Sequence, residues 1–289
     1  MIMLLLLLVG VGTLVYPDVA NWLNEREQQE LIQVYNEMLA LMHEEEIRYE
    51  RNRAQVFNEG LTGIHVVDPF VPGSGSVRSA EYYSILNFDG IMGTIRIPAI
   101  GVNLPIRHGT SDEVLAIGAG HMENTPFPIG GYGNHSIITG HTGMINMTLF
   151  NDLQRLEVGQ LFFVEVLGET IAYQVDRRDT VLPHEIEILI SYEDQDLITL
   201  VTCTPYGINS HRLLVRGTRV AYTPGMEDNI EVIVTPLSLR VVIVIGFSVL
   251  FAGMMWFYWR KKQELIENAK FETEFDQVYA DWQKMNGHD

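Results

Sequence analysis

Cysteine occurs once in this chain of 289 residues, at position 203. A single thiol cannot close an internal disulfide, so no covalent staple holds the fold. Basic residues are also scarce, 19 against 37 acidic ones, which gives a net charge of -18 and a pI near 4.8. Binding to nucleic acid needs clustered Lys and Arg to neutralise phosphates, so nucleic acid is excluded as a partner. The acidity reads as a solubility feature. No group of acids has convincing calcium-ligand spacing, and neither a metal nor an organic cofactor is expected.

Long apolar runs are confined to the two ends. Residues 241–259 form one of about the length a spanning helix requires. Trp256, Tyr258 and Trp259 close it as an aromatic belt, and Arg260, Lys261 and Lys262 follow directly. By the positive-inside rule this makes 237–259 a transmembrane helix and 260–289 a cytoplasmic tail. The tail is amphipathic in places, with Phe271, Phe275, Val278 and Trp282 among acids. Residues 1–16 read as an uncleaved membrane anchor. A secretory signal peptide is the competing reading, but a charged n-region and a clear cleavage site are missing, and a natural start upstream is expected. With two spans, the intervening chain faces outward. There an unpaired thiol is potentially reactive, unless it is simply a buried, inert one.

Hydrophobic residues make up 47% of the chain, enough for one core of about 150–200 residues beyond the membrane segments. Within a helical region at 17–61, Leu31, Val34, Tyr35, Met38, Leu41 and Met42 follow one helical face, and that phase fails beyond His43. Such a helix is expected to pack on the domain. Residues 62–80, "TGIHVVDPFVPGSGSVRSA", lack periodicity and form a long loop. From 81 to 222 come short alternating stretches, among them "IMGTIRIPAIGVNLPI", "NHSIITGH", "LITLVTCT" and "RLLVRGTRV". In "FFVEVLGETIAYQV" the Gly-Glu step signals a hairpin. Many short strands between Gly and Pro turns indicate a mainly β domain, a small closed or partly closed β-barrel, followed by a linker at 223–236.

Cys203 and Arg212 lie at the two ends of one strand connection, "TCTPYGINSHR", and can face each other across it. A guanidinium beside a thiol favours the thiolate and can hydrogen-bond an acyl oxygen. A proton carrier is then needed. His141 is the best placed of nine histidines, since "SIITGHTG" sets it just after an apolar strand with Gly140 and Gly143 beside it. His108, His121, His135 and His211 are weaker candidates.

Together, "TLVTCT", "HRLLVRG" and "IITGHTG" closely resemble the sortase family, cysteine transpeptidases of Gram-positive cell surfaces. The resemblance runs from about residue 24 to 220. It implies an eight-stranded sortase β-barrel with flanking transmembrane helices, with Cys203 as nucleophile, His141 as proton carrier and Arg212 as stabiliser of the substrate oxygen. "VVDPFV" further resembles the lid of class C, pilin-polymerising sortases. By that likeness Asp68, Pro69 and Phe70 form a lid motif within 62–80, Asp68 pairing with Arg212 and Phe70 covering Cys203. The implied partners are pilin subunits bearing Leu-Pro-x-Thr-Gly-like sorting signals and an acceptor lysine. The family's basic N-terminal tail is absent. Other readings are an enzyme of the same chemistry that anchors proteins to a cell-wall amine, a silent sortase-like binding module, and a membrane-tethered structural β-domain with an inert Cys.

Overall fold

The computed structural model describes residues 2–61, 68–71, 74, 79–144, 147, 149–188, 195–233 and 239–287. The chain divides into two compact units, 1–15 with 235–289, and 16–234. The first holds the start of helix α1 (Ile2–Leu41) and a C-terminal helix (Leu239–Asn286). Among the described residues no helix is long and apolar enough to cross a membrane. The flanking transmembrane helices expected from the sequence are therefore not supported here. The side chains of Val241, Val242 and Ile245, which contribute to the apolar run, lie outside the described residues.

The second unit is built on eight strands: β1 (Ile91–Ile97), β2 (Val102–His108), β3 (Ala119–His121), β4 (His135–Thr139), β5 (Leu161–Val166), β6 (Glu169–Val181), β7 (Leu197–Thr204) and β8 (His211–Val220). They close in the order β1-β2-β3-β4-β7-β8-β6-β5, with β5 returning to β1. Closure leaves no open sheet edge. Most pairs are antiparallel, but β2 with β3 and β4 with β7 run parallel. The hairpin expected at Gly-Glu turns one residue earlier. Leu167 (φ 53°) and Gly168 (φ 75°) form the turn, and Glu169 already pairs with Val166. Positive φ at both central residues matches the right-handed twist of the flanking strands.

Strand alternation sorts side chains into two clusters. On β4, β7 and β8, Ile138, Ile198, Leu200, Leu213 and Val215 belong to the main core. Their neighbours Ile137, Val201 and Leu214 join Met122 and Val181 in a second, smaller cluster on the other face of the sheet. Strand β7 is buried at every position but its last, as expected of a central strand covered on both sides.

Helix α1 breaks at Met42 and His43, and helix α2 (Glu44–Gly60) begins there. The His43 N–H donates to Glu46 Oε2 at 2.8 Å, and three glutamates in the first turn of α2 favour its N-terminus. The face that α1 packs on the barrel is centred on Tyr35 and Leu39. Val34 and Leu41, expected on that face, point outward. The Tyr35 hydroxyl donates to the Met92 carbonyl (3.3 Å) and accepts from Leu167 N–H (3.2 Å).

Both ends of the 62–80 loop are fastened to the barrel. On the α2 side, the Asn58 amide donates to the Phe127 carbonyl (3.2 Å) and accepts from the Phe127 N–H (2.7 Å). On the other side, Ser79 N–H donates to Glu123 Oε1 at 2.8 Å. A short helix α3 (Ala80–Ser84) then places Tyr82 in the core. Asn58→Ala is expected to leave the buried Phe127 N–H unpaired, at about 1–3 kcal/mol, while the Phe127 carbonyl keeps the Ile129 N–H at 2.8 Å. A thermal midpoint unchanged from wild type in circular dichroism would show that this clamp carries no stability.

Candidate functional site

The second hydrophobic cluster is the floor of the site. Alternation carries the face of Val201 to Cys203 and that of Leu214 to Arg212. In the β7/β8 ladder Cys203 lies directly opposite Arg212. His141 reaches the same place through the parallel pairing of β4 with β7, in which Thr139 is level with Val201. Because those strands run the same way, their C-terminal ends fall at one end of the barrel. Gly140 continues the register, its N–H donating to the Val201 carbonyl (3.0 Å) while its carbonyl accepts from the Thr202 hydroxyl (2.7 Å). His141 therefore comes level with Cys203.

Two glycines make this turn feasible. A Cβ on Gly140 would lie 2.8 Å from the Phe150 ring. Gly143 has φ +84° and packs on the β7–β8 connection, where a Cβ would lie 3.7 Å from Gly207 N. The His141 loop and the Cys203 loop thus support each other. Asn209 (φ 58°) ends the β7–β8 connection, its N–H donating to the Pro205 carbonyl at 2.9 Å.

The lid motif lies over this floor. Asp68 and Arg212 form a two-point ion pair, Nε to Oδ1 at 2.9 Å and Nη2 to Oδ2 at 2.8 Å. Their side chains are only 6% and 8% exposed. Arg212 Nη1 donates to the carbonyls of Asn209 (2.9 Å) and His211 (3.1 Å). Backbone oxygens thus hold one side of the guanidinium while its other edge faces the lid. Pro69 is buried. The Phe70 N–H donates to Asp68 Oδ1 at 3.2 Å, an Asx-turn that fixes the carboxylate. Ser74 Oγ lies 2.8 Å from the Asp68 carbonyl oxygen. The Phe70 ring packs on the second cluster, 5.4 Å from the His141 ring and 5.0 Å from the Arg212 guanidinium carbon.

Under the lid the thiol is not activated. Burial pushes Cys203 up to about 11, the Arg212 charge pulls it down, and Asp68 pushes it up again. Burial also lowers His141, against a weaker upward pull from Asp112. The guanidinium expected to favour the thiolate is already engaged by Asp68, so near neutral pH both thiol and imidazole are uncharged.

The weaker histidine candidates take other places. His121 Nε2 lies 2.8 Å from the Pro126 carbonyl and must donate to it, so Nδ1 accepts the Tyr82 hydroxyl at 2.9 Å. Burial pushes His121 down to about 3. His108 Nε2 donates to the Ile85 carbonyl at 2.7 Å, and His135 Nε2 lies 2.7 Å from Thr199 Oγ1. His211, more open, meets Ser210. The loop-fastening residues Asn58 and Tyr82 are not marked by any local motif in the sequence.

Residues 95–220 match the family model described as the sortase domain. Among solved structures, the chain is similar to sortase C-1 from Streptococcus pneumoniae, at 41% identity over 67% of this chain and 100% of that one, with a TM-score of 0.64. It is also similar to the pilus-related sortase C of Group B Streptococcus, at 40% identity over 66% and 97%, with a TM-score of 0.62. A curated relative, sortase A of Streptococcus agalactiae serotype III, is 30% identical over 45% of this chain and 56% of its own length. The chain thus spans about half the length of the curated relatives it matches.

The closed-lid charge states set a pH dependence. A raised Cys203 pKa stabilises the closed lid below the open-state thiol value, and this is lost as pH rises toward 11. A lowered His141 pKa stabilises it above the ordinary histidine value, and this is lost as pH falls through the lowered one. Asp68→Ala should move the pH midpoint for maleimide alkylation of Cys203 down by about one unit or more, and an unmoved midpoint would mean that the ion pair does not control the thiol. By the likeness, at about 40% identity, to solved sortase C structures that it covers almost entirely, and by the eight-stranded barrel, this chain belongs to the sortase family and to its class C.

Proposed function

We propose that this chain is a pilus-assembling cysteine transpeptidase. The observation that supports it most is the pairing of Cys203 with Arg212 on adjacent strands, with His141 level with the thiol. When the lid leaves, Asp68 departs, and the Arg212 charge then lowers the thiol pKa unopposed. The freed edge of the guanidinium presents two parallel N–H donors to an acyl oxygen. The Cys203 thiolate attacks the Thr–Gly carbonyl of a Leu-Pro-x-Thr-Gly-like sorting signal, the C–N bond breaks, and His141 protonates the leaving glycine amine. A lysine amine of another pilin subunit attacks the resulting thioester. His141 takes its proton, an isopeptide bond forms, and the thiol is restored.

The name of the neighbour from Group B Streptococcus, a pilus-related sortase C, supports a pilin as substrate. A second reading keeps the same thioester chemistry but takes a cell-wall amine as the acceptor. Offering the enzyme a lysine peptide and a wall peptide together separates the two. In either case the barrel acts outside the cell. The aromatic belt and basic cluster at 256–262 support attachment through 237–259 with a cytoplasmic tail.

The test is intact-protein mass spectrometry after incubation with a sorting-signal peptide, in an Asp68→Ala background. A hydroxylamine-labile gain equal to the acyl half is expected, and none in Cys203→Ala. Arg212→Lys keeps the charge but loses the two-point fork, so acylation should fall by about 100-fold. A near-normal rate would make Arg212 structural.

A further inference from the structure

Lysine is absent from one part of this chain and present in the other. The four lysines are Lys261, Lys262, Lys270 and Lys284. Every basic residue from 16 to 234, the unit that holds the barrel and the site, is arginine. A general preference for arginine does not account for this, because beyond residue 260 the basic residues are all lysine. Nor does geometry. Arg212 and Arg216 grip carboxylates through two nitrogens and need the planar fork. Arg48, however, is 72% exposed and 4.0 Å from Glu45, a surface contact that an ammonium would make as well.

The chemical difference that remains is nucleophilicity. With a pKa near 10.4, about one lysine in 2,500 is neutral at pH 7 and able to attack an acyl group. A guanidinium keeps its proton. A lysine tethered near Cys203 would meet a thioester at an effective concentration on the order of millimolar, ahead of most partners. Its nitrogen would attack the acyl carbon, the C–S bond would break as an amide bond formed, and the amine proton would return to the Cys203 sulfur through His141. The enzyme would regain its thiol but carry the substrate permanently.

We infer that the catalytic unit is kept free of lysine so that its acyl-enzyme finds no amine of its own, which reserves the thioester for a lysine on the partner. This rests on the acyl-transfer reading above. The β7–β8 connection between Cys203 and Arg212 carries exposed Tyr206 and Ile208, the latter 72% exposed, positions where a lysine would be tethered near the thiol.

The test places lysine there. In the full chain carrying Asp68→Ala, Ile208→Lys and Tyr206→Lys are compared with Ile208→Arg and Tyr206→Arg, using a sorting-signal peptide and a lysine peptide as acceptor. The lysine variants should gain a hydroxylamine-resistant acyl group, mapped to the new side chain by digestion. They should also lose on the order of tenfold or more in ligation to the acceptor. The arginine variants should do neither. If thioester and ligation proceed normally and neither lysine is acylated, the inference falls and the transpeptidase reading stands. If no variant forms a labile adduct, or if adducts form but lysine peptide is never ligated, both fall together.

Discussion

The buried pair of Asp68 and Arg212 is the constraint on which every other group in the site depends. Two charges with less than a tenth of their side-chain surface exposed have lost most of their hydration, and such pairs add little net stability. They do impose a strict condition, because neither partner can be left behind alone. While they are joined, the lid stays down, Phe70 shields His141 and the guanidinium, and burial keeps Cys203 a thiol. Cys203 is therefore buried with a raised pKa, much as an inert cysteine would be, yet on the proposed reading its surroundings are those of a covered nucleophile. What separates the two is a strand partner that becomes a free cation once one carboxylate moves away.

The barrel accounts for why the three groups converge. One slip in strand register would turn Cys203 into the main core, since neighbouring residues on β7 occupy opposite faces. The β7/β8 ladder and the closure of the barrel prevent that slip. The parallel pairing of β4 and β7 does the rest, because an antiparallel pair would have put His141 and Cys203 at opposite ends. Parallel strands need long crossovers, and the crossover from β4 to β7 opens with the loop that carries His141.

Much of this is legible in the sequence because it is local. Alternation reveals seven of the strands, and the motif around Cys203 points to its function. The strand it misses, β3, has three residues, too few for alternation to register. Helix α3 hides in a polar stretch. The exposed positions of Val34 and Leu41 run against expectation because an apolar stripe shows a helical face without fixing which edge of it turns inward. What decides among the histidines is non-local. His121 and His141 each follow a short apolar stretch, but one is locked between Tyr82 and Pro126 and the other ends level with a thiol. The lid contact joins residues 144 apart, a distance at which spacing carries no information and only the family motif suggests the pair.

On the proposed acyl-transfer reading, the donors of Arg212 make the Asp68 contact and catalysis mutually exclusive. Nη1 is spent on the Asn209 and His211 carbonyls, which fixes the plane of the guanidinium. Only the edge formed by Nε and Nη2 is left, and Asp68 occupies both of its donors. An acyl oxygen that needs that edge must displace the carboxylate. On the proposed acyl-transfer reading, the Asp68 segment is therefore a tethered competitor for the substrate's own binding atoms. Asn58 and Ser79, on either side of this segment, are both bonded to the barrel, so on that reading the competitor stays tethered when the edge is taken.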